Sequence, residues 1–251
     1  MTILELKNVS VSFGGVKAID DVSLSMNYGE VLSIVGPNGA GKTTLFNLIS
    51  RIYDLDSGSI VFEGIELKSV PPHSIAKLGI ARTFQNTELF EHESVLNNLL
   101  IGSHVHSKTN LLHELFFLAK ARAQEINFRK NAEDIIDLLD LQSYRDSKIV
   151  SLPFGIRKLV EIGRALCLEP KLVLLDEPSS GLNPEETEDL VFQIEDIKEE
   201  LSISILMIEH DMNLVSKASD SVLALADGKV LTVGKPQDVQ KHPEVIKAYL
   251  G

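Results

Sequence analysis

Two short segments of the chain gather residue types that handle phosphate. The first is GPNGAGKT at residues 36–43, in which Gly36, Gly39 and Gly41 alternate with Pro37, Asn38 and Ala40 before Lys42, Thr43 and the following Thr44. Glycines at this spacing let the backbone curl so that successive N–H groups point at an anion, and the start of the following helix adds its partial positive charge. Lys42 can then reach the terminal phosphates of a nucleotide, and the Thr43 hydroxyl is a ligand for Mg²⁺; the segment matches the full P-loop pattern. The second segment, KLVLLDE, places Asp176 after four apolar residues and Glu177 directly behind it. A carboxylate at Asp176 can hold the metal, as in a Walker B strand. One at Glu177 can take the proton of an attacking water, which separates hydrolysis of ATP from mere binding. A chance glycine-rich turn would not also put lysine and threonine in place, and Asp-Glu-Pro, which alone could be a solvated turn, gains meaning beside the P-loop.

The elements around these segments have the right character. VLSIV, residues 31–35, is a nearly continuous apolar run, the mark of a strand buried on both faces, and it feeds straight into the glycine-rich turn. Residues 3–12 and 21–26 alternate apolar with polar, as strands with one solvated face do. GSIVFEG and residues 79–84 read as further short strands. From residue 86 to 152 the periodicity is helical, clearest in NAEDIIDLLDL, and the spacing predicts an inserted helical subdomain. A helix in GIRKLVEIGRALCLE, the buried strand KLVLLD, a helix over 184–200 and a second buried strand, ISILMIE, follow. This alternation predicts a parallel sheet with helices packed on it. Asp227-Gly228 between two apolar runs signals a type I′ hairpin, and PEVIKAYL a short helix with proline in its first turn.

Composition narrows the function classes. The 251 residues can bury a sizeable core, and no apolar run approaches the length of about 18 residues that spans a bilayer. The opening MTILELKNVSVSF lacks the basic start and apolar stretch of a secretory signal, and the single Cys167 leaves no disulfide framework, so a reducing, cytoplasmic setting is expected. A net charge of −12 argues against a sequence-independent grip on nucleic acid. His104, His106 and His113 lack the accompanying Cys or paired carboxylates of a zinc site and read as surface residues. LLHELFFLA reads as helical core rather than a membrane-contacting helix.

These motifs, together with Gln85, the segment SGLN and His210, resemble the ATP-binding subunits of ABC transporters in order and spacing. The resemblance implies an α/β P-loop ATPase fold with a mainly parallel core, an antiparallel β subdomain and an inserted helical subdomain. It implies one ATP-binding domain over 1–251, with 1–86 and 153–251 as the nucleotide-binding core and 87–152 as the insert. Gln85 would be the Q-loop residue touching metal and water, Asn183 part of the D-loop, and His210 the switch histidine on the γ-phosphate. Phe13 falls where the family stacks a ring on adenine. Plainer roles exist for each: loop surface for Gln85 and Asn183, a polar strand cap for His210, core for Phe13. GIARTFQNTELF, DEPSSGLNPEE, ILMIEHDMNLV and HPEVIKAYLG resemble the branched-chain amino acid importer branch, whose relatives also carry urea and short amides. That branch implies ATP and Mg²⁺ as cofactors, two transmembrane permease subunits, a paralogous ATPase or a second copy as dimer partner, and an extracytoplasmic binding protein. It also implies a peripheral place on the cytoplasmic face of the membrane.

One motif departs from the resemblance. Where the family reads LSGGQ, residues 152–156 read LPFGI, keeping Leu152 and Gly155 but putting Pro153 where a serine would give a hydroxyl to phosphate. The departure keeps open a nucleotide-sensing subunit with weak hydrolysis, or a heterodimer with unequal sites. Soluble translation and repair factors of the class are disfavoured, because the chain has one cassette and no sustained heptads.

Overall fold

The structure, a computed structural model, describes residues 1–83, 89–103 and 119–250. Two units are distinguished: residues 1–82 with 171–251, and residues 83–170.

The first unit holds two sheets. One is antiparallel, in the order β2-β1-β4-β5, built from β1 (Thr2–Phe13), β2 (Val16–Asn27), β4 (Ser57–Phe62) and β5 (Ile65–Glu66). The other runs β10-β9-β3-β8-β7-β6, from β3 (Val31–Val35), β6 (Ile80–Arg82), β7 (Leu172–Asp176), β8 (Ser204–Ile208), β9 (Ser221–Ala226) and β10 (Lys229–Gly234). All its pairings are parallel except the β9–β10 hairpin. The apolar runs of β3, β7 and β8 are buried at every position, as expected for central strands of a parallel sheet covered on both faces.

The two faces carry different layers. Helix α1 (Lys42–Ile49) turns Leu45, Phe46, Leu48 and Ile49 into a core shared with Leu32 and Ile34 of β3 and with the inner side of the antiparallel sheet. On the opposite face Val35, Val222 and Ala224 meet Val215, Val239 and Val245. These last come from α7 (Met212–Ala218), α8 (Pro236–Gln240) and α9 (Pro243–Leu250). Helix α2 (Ile75–Leu78) precedes β6, and α6 (Pro184–Leu201) crosses from β7 to β8. The predicted hairpin forms with Asp227 and Gly228 both at positive φ, 48° and 75°, as a type I′ turn requires.

The second unit is helical: α3 (Val95–Ser103), α4 (Ala119–Leu138) and α5 (Phe154–Leu166). Reading the sequence drew the boundary of the helical insert at Leu152, whereas α5 belongs with α3 and α4. The reason is close packing at small residues. A Cβ on Gly102 would meet the Arg164 carbonyl oxygen at 2.2 Å, and one on Gly163 would meet Leu139, Ile135 and Leu99. Glycine at both positions lets the three helix backbones approach, so α5 buries its apolar side within this unit.

Candidate functional site

Ligands of open parallel sheets gather at the carboxyl ends of the strands, and the P-loop, Asp176 and Glu177 follow β3 and β7 there. Strand β8 sets Ile208 beside Ile34 of β3 on one side and Asp176 of β7 on the other. The ladder runs one step past the strands: Glu177 N–H donates to the Ile208 carbonyl at 3.0 Å, and Glu209 N–H to the Ile34 carbonyl at 3.2 Å. The P-loop, Glu177 and Glu209 therefore leave one edge of the sheet side by side.

The loop is fixed by backbone approach. A Cβ on Gly36 would lie 2.0 Å from the Leu225 carbonyl oxygen of β9, and one on Gly41 would lie 2.5 Å from the Ala18 carbonyl oxygen of β2. Gly41, at φ 102°, starts α1 with no side chain capping its first turn and no acid within it. The amides of that turn are thus left to an outside acceptor. Lys42 is buried at 7% exposure, and its ammonium donates to the Gly36 carbonyl at 2.7 Å and the Pro37 carbonyl at 3.1 Å. Burial pushes its pKa down, opposed by the nearby charges of Glu177 and Asp176. Thr43 is exposed at the loop's mouth.

Asp176 closes β7 at 4% exposure and accepts from Arg82 Nη2 at 2.9 Å. Arg82, at the end of β6, also donates to Asn47 Oδ1 at 2.7 Å and Ser50 Oγ at 3.3 Å, both on the segment that follows the P-loop. Glu177 sits at φ 50°, in the left-handed region, directly before Pro178. A non-glycine residue held there stores strain that its surroundings must sustain, and such residues cluster at functional sites.

His210 is exposed, and its backbone N–H donates to Glu209 Oε2 at 3.0 Å. Glu209 itself is wholly buried and also receives Ser179 N–H at 2.8 Å and Ser179 Oγ–H at 2.9 Å. Asn183 caps α6: its Oδ1 accepts from the amides of Glu185 and Glu186 at 2.9 and 3.0 Å, and Glu186 Oε2 accepts from Asn183 N–H at 2.9 Å. Phe13 is 43% exposed, which overturns a core role, and its ring meets Tyr53 edge-on with centroids 5.0 Å apart.

In the second unit Leu152 and Gly155 are buried at the start of α5. Pro153 occupies the N-cap position of α5 at φ −56°, ψ 154°. Proline suits that position because its φ matches and its C=O still accepts, here from Arg157 N–H at 3.1 Å. It offers no side-chain cap, so the Gly155 N–H remains among the unbonded amides of the first turn. Gln85, His104, His106 and His113 lie outside the described residues.

Sequence reasoning missed Arg82, Ser179, Glu209 and Tyr53. A readable signal existed for Glu209: ISILMIE ends a buried apolar strand on an acid just as KLVLLD does. As donors for a divalent ion, a threonine hydroxyl and a carboxylate are the hard oxygen ligands that Mg²⁺ prefers, and the helix start beside them suits phosphate. Among the described residues no group of three or more His, Cys, Asp or Glu is placed to hold a metal ion.

Comparison with known proteins follows the same line. The ABC transporter family model matches residues 19–180, and that of the branched-chain amino acid ATP-binding cassette transporter matches residues 229–251. The high-affinity branched-chain amino acid transport ATP-binding protein BraF of Pseudomonas aeruginosa is 38% identical over 99% of this chain and 98% of its own length. LivG of Escherichia coli is 34% identical over the same shares, and a probable LivG of Methanocaldococcus jannaschii 35% over 100% and 98%. Among solved structures, a nucleotide-free ATP-binding cassette from an ABC transporter superposes with a TM-score of 0.86 at 34% identity, over all of both chains. The ADP conformation of such a cassette gives 0.86 at 33%, over 100% of this chain and 99% of its own.

Proposed function

Since this chain belongs to the ABC transporter family as one of its ATP-binding subunits, we propose that it hydrolyses ATP to drive the uptake of branched-chain amino acids. The observation that carries this reading is the convergence of Lys42, Asp176 and Glu177 at one sheet edge. It occurs in a chain that aligns along almost its whole length with branched-chain amino acid relatives. The match at residues 229–251 supports that solute over urea or amides.

The P-loop amides, Lys42 and the α1 start would hold the phosphates, while Thr43, Asp176 and Gln85 would hold Mg²⁺, which would neutralise phosphate charge when bound. Glu177 takes a proton from the attacking water and His210 contacts the γ-phosphate. Phe13, with Tyr53 against its edge, offers a ring to adenine. Leu152 and Gly155 serve the nucleotide of the opposite subunit, and Asn183 lies at that seam. Two permease subunits and a binding protein complete the importer, with this chain peripheral on the cytoplasmic face. Among the described residues no helix is long and apolar enough to cross a membrane. The bare N-cap at Pro153 favours a heterodimer with a paralogous ATPase, in which the half-site built on this α5 is the weaker.

Uptake of labelled leucine into vesicles carrying the assembled transporter tests the reading. ATP-dependent leucine uptake that Lys42→Ala abolishes is expected. Uptake of urea or an amide with no leucine uptake would overturn the assigned solute, and ATP-independent uptake would overturn the coupling.

A further inference from the structure

A buried carboxylate is expensive unless hydrogen bonds or a counter-charge replace its water. Glu209 is fully buried, and no lysine or arginine forms an ion pair with it among the described residues. It is held instead by four donors from two chain segments. Ser179 N–H reaches Oε1 at 2.8 Å and Ser179 Oγ–H reaches Oε2 at 2.9 Å. The amides of His210 and Asp211 reach Oε2 at 3.0 and 3.4 Å. Ser179 lies two residues beyond Glu177, whose backbone stands at φ 50°, with its N–H on the Ile208 carbonyl and Ser180 N–H on its own carbonyl. Deepening the reading above, on which it rests, we propose that Glu209 is a positioning residue that clamps the turn bearing Glu177 and the backbone of His210 to one carboxylate. The proton acceptor and the γ-phosphate contact then move as a unit.

The clamp needs a carboxylate and not merely a side chain of that shape. In Glu209→Gln the amide NH₂ must face either Ser179 N–H or the amides of His210 and Asp211, and each arrangement sets donor against donor. Losing charge-assisted bonds here weakens the anchor at Ser179 of the strained Glu177 turn. Chemistry should suffer while the P-loop, which Glu209 does not touch through any of these bonds, keeps its grip on nucleotide.

The test uses the full chain and MgATP. Glu209→Gln is expected to lower kcat by about ten-fold or more while changing ATP affinity by less than about three-fold. Combined with His210→Ala it should cost far less than in the wild-type background, because both changes release the same histidine. Ser179→Ala, which keeps the carboxylate and removes one donor, should give a smaller fall, about three-fold, with the same non-additivity. The proposal is overturned if Glu209→Gln turns over normally. It is equally overturned if ATP affinity and melting temperature fall in step with kcat, or if its effect multiplies fully with His210→Ala. Should Glu209→Gln fail to fold, Ser179→Ala decides alone, and normal turnover or full additivity in it overturns the clamp. Normal hydrolysis by His210→Ala and Glu177→Gln would instead sink the functional reading itself.

Discussion

Arg82 and Asp176, 94 residues apart in sequence, form an ion pair of 2.9 Å with side chains only 9% and 3% exposed. The same guanidinium holds Asn47 and Ser50 and lies 5.5 Å from the centre of the Phe46 ring, so it ties the end of β6 to the Asp176 carboxylate and to α1. Removing one member of a buried pair leaves a charge without its partner. Arg82→Met should therefore destabilise the fold by about 3–5 kcal/mol, and adding Asp176→Asn should recover part of the loss. Urea unfolding of the two variants measures this. A double variant as unstable as the sum of its parts would show that the two groups act independently.

Glu177→Gln keeps the shape of the side chain and removes its capacity to accept a proton. Hydrolysis should fall by about 10²–10⁴-fold while ATP remains bound. Single-turnover assays with equilibrium binding check both halves, and unchanged turnover would take Glu177 out of the reaction.

At Pro153, serine would supply a hydroxyl at an N-cap whose backbone already has the extended ψ that caps use. If the hydroxyl reaches phosphate across the dimer, Pro153→Ser should speed hydrolysis, by up to about ten-fold for one charge-assisted bond. Turnover no faster than wild type, with folding intact, would show that the serine of the family motif is not what this half-site lacks.

Glu63 gives a pH signature remote from the site. Lys171 Nζ donates to it at 2.5 Å and Tyr28 Oη–H at 2.7 Å, and chiefly the lysine holds its carboxyl below the ordinary value of 4.5. Because the folded state favours the ionised form, its stabilisation is complete above that value and is lost as pH falls through the lowered one. Lys171 is 55% exposed, so solvent and salt weaken the pair. Glu63→Gln should cost about 0.5–1 kcal/mol at pH 7 and nothing well below the carboxylate range. Urea titrations at the two pH values, with and without added salt, read this out.

What could be read from residues alone was whatever is written locally. Buried strands show as apolar runs, VLSIV and KLVLLD among them, and the Asp227-Gly228 turn carries its own backbone demand. The P-loop is legible because its chemistry is confined to consecutive residues. The pairings Arg82–Asp176 and Glu209–Ser179 were not, because each joins segments far apart in the chain, and only the sheet order that sets β6 beside β7 and β7 beside β8 makes them neighbours. The grouping of α5 with α3 and α4 was hidden for a related reason. The pattern of α5 says that one of its sides is buried, but only Gly102 and Gly163 determine against what, and a glycine's value as a gap is invisible until the second helix is present.

The hairpin turn does more than reverse the chain. Gly228 N–H donates to the Ala40 carbonyl of the P-loop at 3.0 Å, while the Gly228 carbonyl accepts Asp20 N–H of β2 at 2.8 Å. With Leu225 close against Gly36, the phosphate loop leans on residues that follow it by about three quarters of the chain. During synthesis the loop leaves the ribosome early, yet β8 and β9, the strands on either side of β3, and the glycine that braces Ala40 emerge much later. At about 5–20 residues per second the loop waits many seconds for its walls. A nascent chain halted before residue 221 would carry the complete motif and still bind nucleotide poorly, so acquisition of ATP affinity marks the end of translation rather than its beginning.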